Sequence, residues 1–191
     1  MSSDIPPADS PTACDRILHT AHDLFYRDGV RATGIDRIIS ESGVTKVTFY
    51  RHFPSKNDLI KAYLEHRHRL WMDWLDGALE RHRRRGRRVE KLLVSVFQEW
   101  FESEGYRGCA FLNAVVELAG ALPEVAGIAK RHKDEVAEAI ARLLPESEDR
   151  TGRALAIAVA LDGAILRAQM ERNAAHALDA LERILRALTK G

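Results

Sequence analysis

The stretch that most constrains this chain runs from Gly29 to Leu64, GVRATGIDRIISESGVTKVTFYRHFPSKNDLIKAYL. Ile35, Ile38 and Ile39 recur at i, i+3 and i+4, which places them on one face of a helix starting near Gly34. Thr33 precedes that helix and can cap its free N–H groups. Ser42-Gly43 ends it, because Gly supplies the left-handed backbone of a tight turn. Thr45 opens a second short helix, Lys46 to about His52, and Pro54 stops it by removing a donor and clashing with the preceding turn. Ser55 starts the next helix, with Asp58 as the acid of a shortened capping box. Two helices of about two turns joined through a Gly turn make a helix-turn-helix, whose second helix enters the major groove. From Val44 to Lys56 there are three cations (Lys46, Arg51, Lys56), no acid, and hydroxyls at Thr45, Thr48, Tyr50 and Ser55. Phosphate oxygens and base edges bond to such groups. An ordinary helical hairpin with a solvated polar face is the alternative.

The block resembles the N-terminal domain of the TetR family of transcriptional regulators. The residues that carry the resemblance are Ile38, Gly43, Val44, Thr45, Lys46, Thr48, Tyr50, Phe53, Ser55, Lys56 and Leu59, within about fifty residues from Ala13 to Tyr63. The resemblance implies that Thr33, Tyr50, His52 and Lys56 grip phosphates, while Thr45, Lys46, Val47 and Thr48 approach base edges. Two positions depart from the family's habit. Val47 stands where Gly is frequent, so the backbone comes less close to DNA and a methyl contact to thymine becomes available. Ile39 stands where Ala is frequent, which implies a bulkier core between the first two helices.

The chain has 191 residues, enough for a small domain joined to a larger one. A formal net charge of +1 does not announce nucleic acid, so the basic character is local. Cys14 and Cys109 form no spacing pattern, which argues for a reducing compartment, the cytoplasm. No apolar run is long enough for a membrane span. The first dozen residues, 1–12, have no basic or apolar segment of a signal peptide; their Pro, Ser and Asp content reads as a disordered tail.

Beyond the tail the periodicity is helical throughout, so the fold class is all-α with about nine helices. The expected division is a helix-turn-helix domain over 13–66 and a ligand-binding and dimerisation domain over 67–191. A first helix from Thr12 to Arg27 buries Ile17, Leu18, Ala21, Leu24 and Phe25. His19 and His22 on its other face could hold a metal with Asp15 and Asp23, or be solvated; no second ligand cluster follows. The fourth helix, Ser55 to about Arg81, carries Leu59, Ile60 and Tyr63, then Leu70, Trp71, Trp74, Leu75 and Leu79, and so links the two modules. Arg81–Arg88, with six arginines, is either an anion-binding run or a solvated connection turning at Gly86.

Val89 to Glu102 is strongly amphipathic. Cys109 to Leu122 is apolar on most faces, as in a buried helix. Pro123 starts a helix to about Leu144. Two further helices cover Arg150–Arg172 and Ala174–Lys190. The first is rich in small residues that permit close helix approach, and the pair suits a four-helix interface with a second subunit. The family resemblance implies the same arrangement.

No catalytic signature is present: no G-x-S-x-G, H-E-x-x-H, P-loop or G-x-G-x-x-G. No cofactor is expected. Cys109 is either a redox-sensing thiol or an inert buried one. A mostly apolar pocket with a few polar groups is expected in the second domain. Its candidate residues are Trp71, Trp74, Phe97, Trp100, Phe101, Phe111, Asn113, Glu117, Asp162 and Gln169. The expected protein is a homodimeric repressor on a palindromic double-stranded DNA operator, released by a small molecule. A helical small-molecule enzyme and a constitutive DNA-binding protein are the alternatives.

Overall fold

The computed structural model describes residues 11–118, 120–171 and 173–189. The expected tail lies, up to residue 10, outside the described residues. Among them the chain is all-α. The helices are α1 (Ala13–Asp28), α2 (Ile35–Ser42), α3 (Lys46–His52), α4 (Lys56–Arg83), α5 (Val89–Phe101), α6 (Ala110–Leu118), α7 (Glu124–Ala141), α8 (Arg150–Glu171) and α9 (Ala174–Leu188). They form two compact units, one ending at Tyr63 and the other beginning at Leu64.

In the first unit, α1 starts with a full capping box: the Thr12 hydroxyl accepts the Asp15 N–H, and the Asp15 carboxylate accepts from the Thr12 N–H. Ile17, Ala21, Leu24 and Phe25 form its buried stripe. They meet Ile38 of α2, Phe49 of α3, and Leu59, Ile60 and Tyr63 of α4, all buried. Phe25 and Tyr63 pack edge to face at 5.3 Å. Ile39 is only half-buried, so the added bulk expected between α1 and α2 is largely at the rim. Gly43 closes α2 at φ 64°, the left-handed conformation that makes the turn sharp.

In the second unit, α8 packs against α7 and α9, α5 against α9, and α6 against α7. Polar contacts pin the helix ends. Arg150 Nε donates to the Ala141 carbonyl at 2.7 Å, and Arg153 Nε to the Leu188 carbonyl at 3.1 Å. Both carbonyls stand at helix C-termini, where no intrahelical donor remains. Lys91 of α5 pairs with Glu182 of α9 at 2.7 Å.

Some sequence expectations are corrected here. Leu70 is exposed rather than part of a buried stripe. The helix expected from Cys109 to Leu122 is shorter, and Val116 on it is 87% exposed, so α6 is covered on one side only. The arginine run is a helix end and turn. Arg81 pairs with Glu99, and Arg83 and Arg84 with Glu80, while Gly86 turns at φ 64°.

Candidate nucleic-acid interface and ligand cavity

Helix α3 is short and held by a cap at its start and by two buried rings on its inner side. The Thr45 hydroxyl accepts the Thr48 N–H at 3.2 Å and lies 2.9 Å from the Thr48 hydroxyl. This cap satisfies one of the donors a helix start leaves open. Phe49 and Phe53 fasten the inner side into the core. Everything else on the helix faces outward: Lys46, Val47, Tyr50, Arg51 and His52 are exposed, and Thr48 is half-buried. Val47 is 71% exposed, an apolar side chain presented to solvent on a cationic surface. Lys46 approaches Asp36 at 3.9 Å, but both are exposed, and such pairs release readily. Lys56 donates to the Val30 carbonyl at 2.7 Å, and its ammonium stands 6.0 Å from the centre of the Phe25 ring. The contact ties the start of α4 to the loop after α1.

The second unit encloses a cavity lined from five directions. Arg67 and Trp71 come from α4, and Phe97 and Trp100 from α5. Cys109, Ala110 and Phe111 line it at the start of α6. His132, Lys133 and Val136 of α7 and Ala158, Leu161, Asp162 and Ile165 of α8 complete the wall. The rings interlock: Trp71 meets Trp100 at 5.4 Å and His132 at 5.1 Å, both edge to face. Phe111 and His132 stack at 3.7 Å and 15°. The space left open is about 20 Å³, room for roughly one water molecule. Lys133 pairs with Asp162 across α7 and α8. Behind the wall, His132 Nδ1 meets His68 Nδ1 at 3.1 Å, and His68 Nε2 meets Glu135 at 3.2 Å. Burial pushes the His132 imidazole down to about 2, helped by the charges of Lys133, His68 and Arg67. It is therefore neutral at neutral pH.

The sequence pattern of the bacterial regulatory proteins of the tetR family matches residues 17–63. A TetR-family transcriptional regulator from Streptomyces coelicolor shares the fold with a TM-score of 0.75 at 29% identity, over 93% of this chain and 96% of its own. Residues 17–63 thus form an N-terminal domain of the tetR family of bacterial regulatory proteins. An HTH-type transcriptional regulator from Lactococcus lactis subsp. lactis is 27% identical over 106 residues, 55% of this chain. The match spans about half, 54%, of that relative's length. A TetR regulator from Chloroflexus aurantiacus, 22% identical with a TM-score of 0.76 over 93% of this chain, shares the fold. The matched residues, 17–63, are those of the helix-turn-helix domain, and the fold of the whole chain is that of TetR-type regulators. Its relatives are regulators rather than enzymes, which removes the enzyme alternative.

Helix α3 presents Lys46, Val47, Tyr50 and His52 together, with Thr45 and Thr48 at its N-terminal end. Thr33 is the exception. It is 0% exposed, and its hydroxyl donates to the Gly29 carbonyl at 2.8 Å, so it neither caps α2 nor reaches a phosphate. Gly34 holds the cap position without a side-chain bond. Of the expected ligand residues, Trp71, Phe97, Trp100, Phe111 and Asp162 converge on the cavity. Trp74 stands behind Trp71 and Trp100, at 6.0 and 6.4 Å. Phe101 and Gln169 line a separate open crevice beside Ser103, Tyr106 and Asn173. Asn113 donates to the Arg107 carbonyl at 3.0 Å and serves that loop, while Glu117 lies outside the cavity wall.

Sequence reasoning missed Arg67, His132 and Lys133. For His132 the signal was there: it falls in register with Val125, Ile128, Ala129, Val136, Ala139 and Ile140, the buried stripe of α7. Cys109 is buried at the cavity wall, a placement that fits the inert thiol. Among the described residues no group of three or more His, Cys, Asp or Glu could hold a metal, and His22 instead bonds Asp23 at 3.0 Å. No described helix is long and apolar enough to cross a membrane.

Proposed function

We propose that this protein is a homodimeric, ligand-responsive repressor working on the genome in the cytoplasm, with residues 13–66 reading DNA and 67–191 binding ligand and partner subunit. The observation that carries the DNA side is the outward face of α3, cationic and free of acids, with Val47 protruding from it. Lys46, Val47, Thr45 and Thr48 approach base edges, and Val47 suits a thymine methyl. Tyr50, His52 and Lys56 hold phosphates. Two such helices, one per subunit, sit about 34–36 Å apart on successive major grooves, so the operator is palindromic.

A small molecule entering the cavity favours a form whose reading heads are mis-spaced. Helix α4 carries the change, since Tyr63 belongs to the first unit and Trp71 lines the cavity of the second. A tenfold loss of DNA affinity requires about 1.4 kcal/mol of coupling, no more than the ligand's preference between the two forms. Selecting bound sequences from a random DNA pool, with and without cell extract, tests the reading. A palindromic winner lost on adding extract is the expected result. A monomer indifferent to every palindrome would overturn it.

The tightness of the cavity favours a second reading, a constitutive DNA-binding protein. Pockets for drug-sized ligands run to about 300–1,000 Å³, far above the space open here. A thermal-shift screen separates the two, because a ligand that binds the folded protein must raise its melting temperature.

A further inference from the structure

The cavity wall says what kind of molecule would occupy it, an inference that rests on the ligand-responsive reading above. Trp71 is nearly fully buried in that wall, yet its indole N–H has no hydrogen-bond partner among the described residues. A buried donor left unmade costs about 1–3 kcal/mol, and an incoming acceptor removes the cost. The charged groups in the lining are two cations, Arg67 and Lys133, and one carboxylate, Asp162. His132 adds no charge at neutral pH because burial keeps it unprotonated. The remaining surface is largely aromatic. Phe111 and His132 already stack with their planes nearly parallel at 3.7 Å, the spacing at which a flat ring gains full dispersion contact. A flat guest widens such a wall least, which matters where only about 20 Å³ stands open.

We infer that the effector is a planar aromatic acid, its ring packed among Trp71, Trp100 and Phe111 and its anionic oxygen received by the Trp71 indole N–H beside Arg67 and Lys133. An anion buried without a partner would be expelled. Lys133 is already paired with Asp162, so an incoming carboxylate takes the place of Asp162 on that ammonium, and the Trp71 donor is already in place. A neutral hydrocarbon of the same shape leaves both features unused, so the wall discriminates by charge as well as by flatness.

The test uses the full chain with 2-naphthoate as probe and methyl 2-naphthoate as its uncharged counterpart, followed by melting temperature and by calorimetric titration. The expected result is saturable binding of 2-naphthoate at least tenfold tighter than of the ester. Trp71→Phe keeps an aromatic ring but removes the N–H together with part of the indole, so acid and ester are compared in the same variant. It should weaken 2-naphthoate at least tenfold more than the ester. Lys133→Gln, with a smaller polar side chain, should weaken the acid and spare the ester. Equal affinity for acid and ester, an unchanged preference for the acid in Trp71→Phe, or no saturable binding of the acid overturns the inference. Operator affinity is measured on the same samples. Binding through Trp71 without DNA release would leave the assigned chemistry standing and sink the ligand-released repressor. Release by a neutral ligand alone would do the reverse.

Discussion

The residue with the most unusual surroundings is His132. Phe111 covers one face, Trp71 meets it edge-on, and His68 lies at Nδ1, itself backed by Glu135. Arg67, Lys133 and Asp162 stand with it in the same cavity wall. The folded pKa falls to about 2 from an ordinary 6.5, with burial the first cause. The unfolded chain therefore takes up a proton as pH drops below about 6.5, and the folded one resists until near 2. Stability from this group is complete above 6.5 and is lost progressively below it, by at most about 1.4 kcal/mol per pH unit. His132→Phe keeps the stack on Phe111 and removes the titration. Its absolute stability also reflects the lost bond to His68, so the slope is the quantity to compare. Urea midpoints at pH 7 and pH 5 should converge for the variant and separate for the parent. Parallel shifts in the two proteins would assign the pH dependence to other groups.

At the scale of the element, α3 works because its ends are fixed while its outer face stays uncommitted. Thr45→Ala removes the cap and should cost about 1 kcal/mol, read as a lower melting temperature. Gly43→Ala meets open space but must hold φ 64°, a cost of about 1–2 kcal/mol. Outward residues behave differently. Lys46→Ala should change base preference at nearly constant stability, whereas Tyr50→Phe should weaken all sequences alike. Lys56→Ala should do the same and flatten the salt dependence. A salt-titrated shift assay decides the matter, and equal loss of preference from Lys46→Ala and Lys56→Ala would refute the division.

This region was the most legible in the sequence, because turn chemistry, caps and periodicity are local signals. Gly43, Thr45 and Ser55 each act within four residues of themselves. Thr33 misled for the opposite reason: its hydroxyl is claimed by Gly29 and Leu24 of the preceding segment, which no local rule reveals. The cavity was half legible. Aromatics at helical spacing announced Trp71, Phe97 and Trp100. Arg67 and Lys133 gave no signal, because a single charge on a helix does not show which neighbour it meets, and only tertiary packing places them at the cavity wall. Phe101, one position beyond Trp100, shows how a rotation of about 100° moves a ring from one pocket to another.

For the whole molecule, the open question is what covers the outer side of α8. Leu155, Val159, Leu166 and Met170 are each more than half exposed, and Ile184 of α9 is nearly so. With Gly163 between them, the α8 residues follow one stripe at spacings of three and four, opposite the buried Ala154, Ala158, Ala164 and Ala168. An apolar stripe left to water on two neighbouring helices suits a second copy of the same helices. Gly163 is the most telling position. A Cβ there meets nothing within 4 Å, so the subunit itself does not require glycine, although glycine weakens a helix interior by about 1 kcal/mol relative to alanine. The cost makes sense if another backbone must come close. Gly163→Leu should therefore act in opposite directions, stabilising the isolated subunit slightly while weakening the dimer. Leu166→Glu should leave the fold intact and also yield monomers. Sedimentation equilibrium combined with melting at two protein concentrations tests this, because a dimer's melting temperature rises with concentration and a monomer's does not. Dimers of undiminished affinity in both variants would place the interface elsewhere, and the spacing of the two reading helices would then have to be derived from another surface.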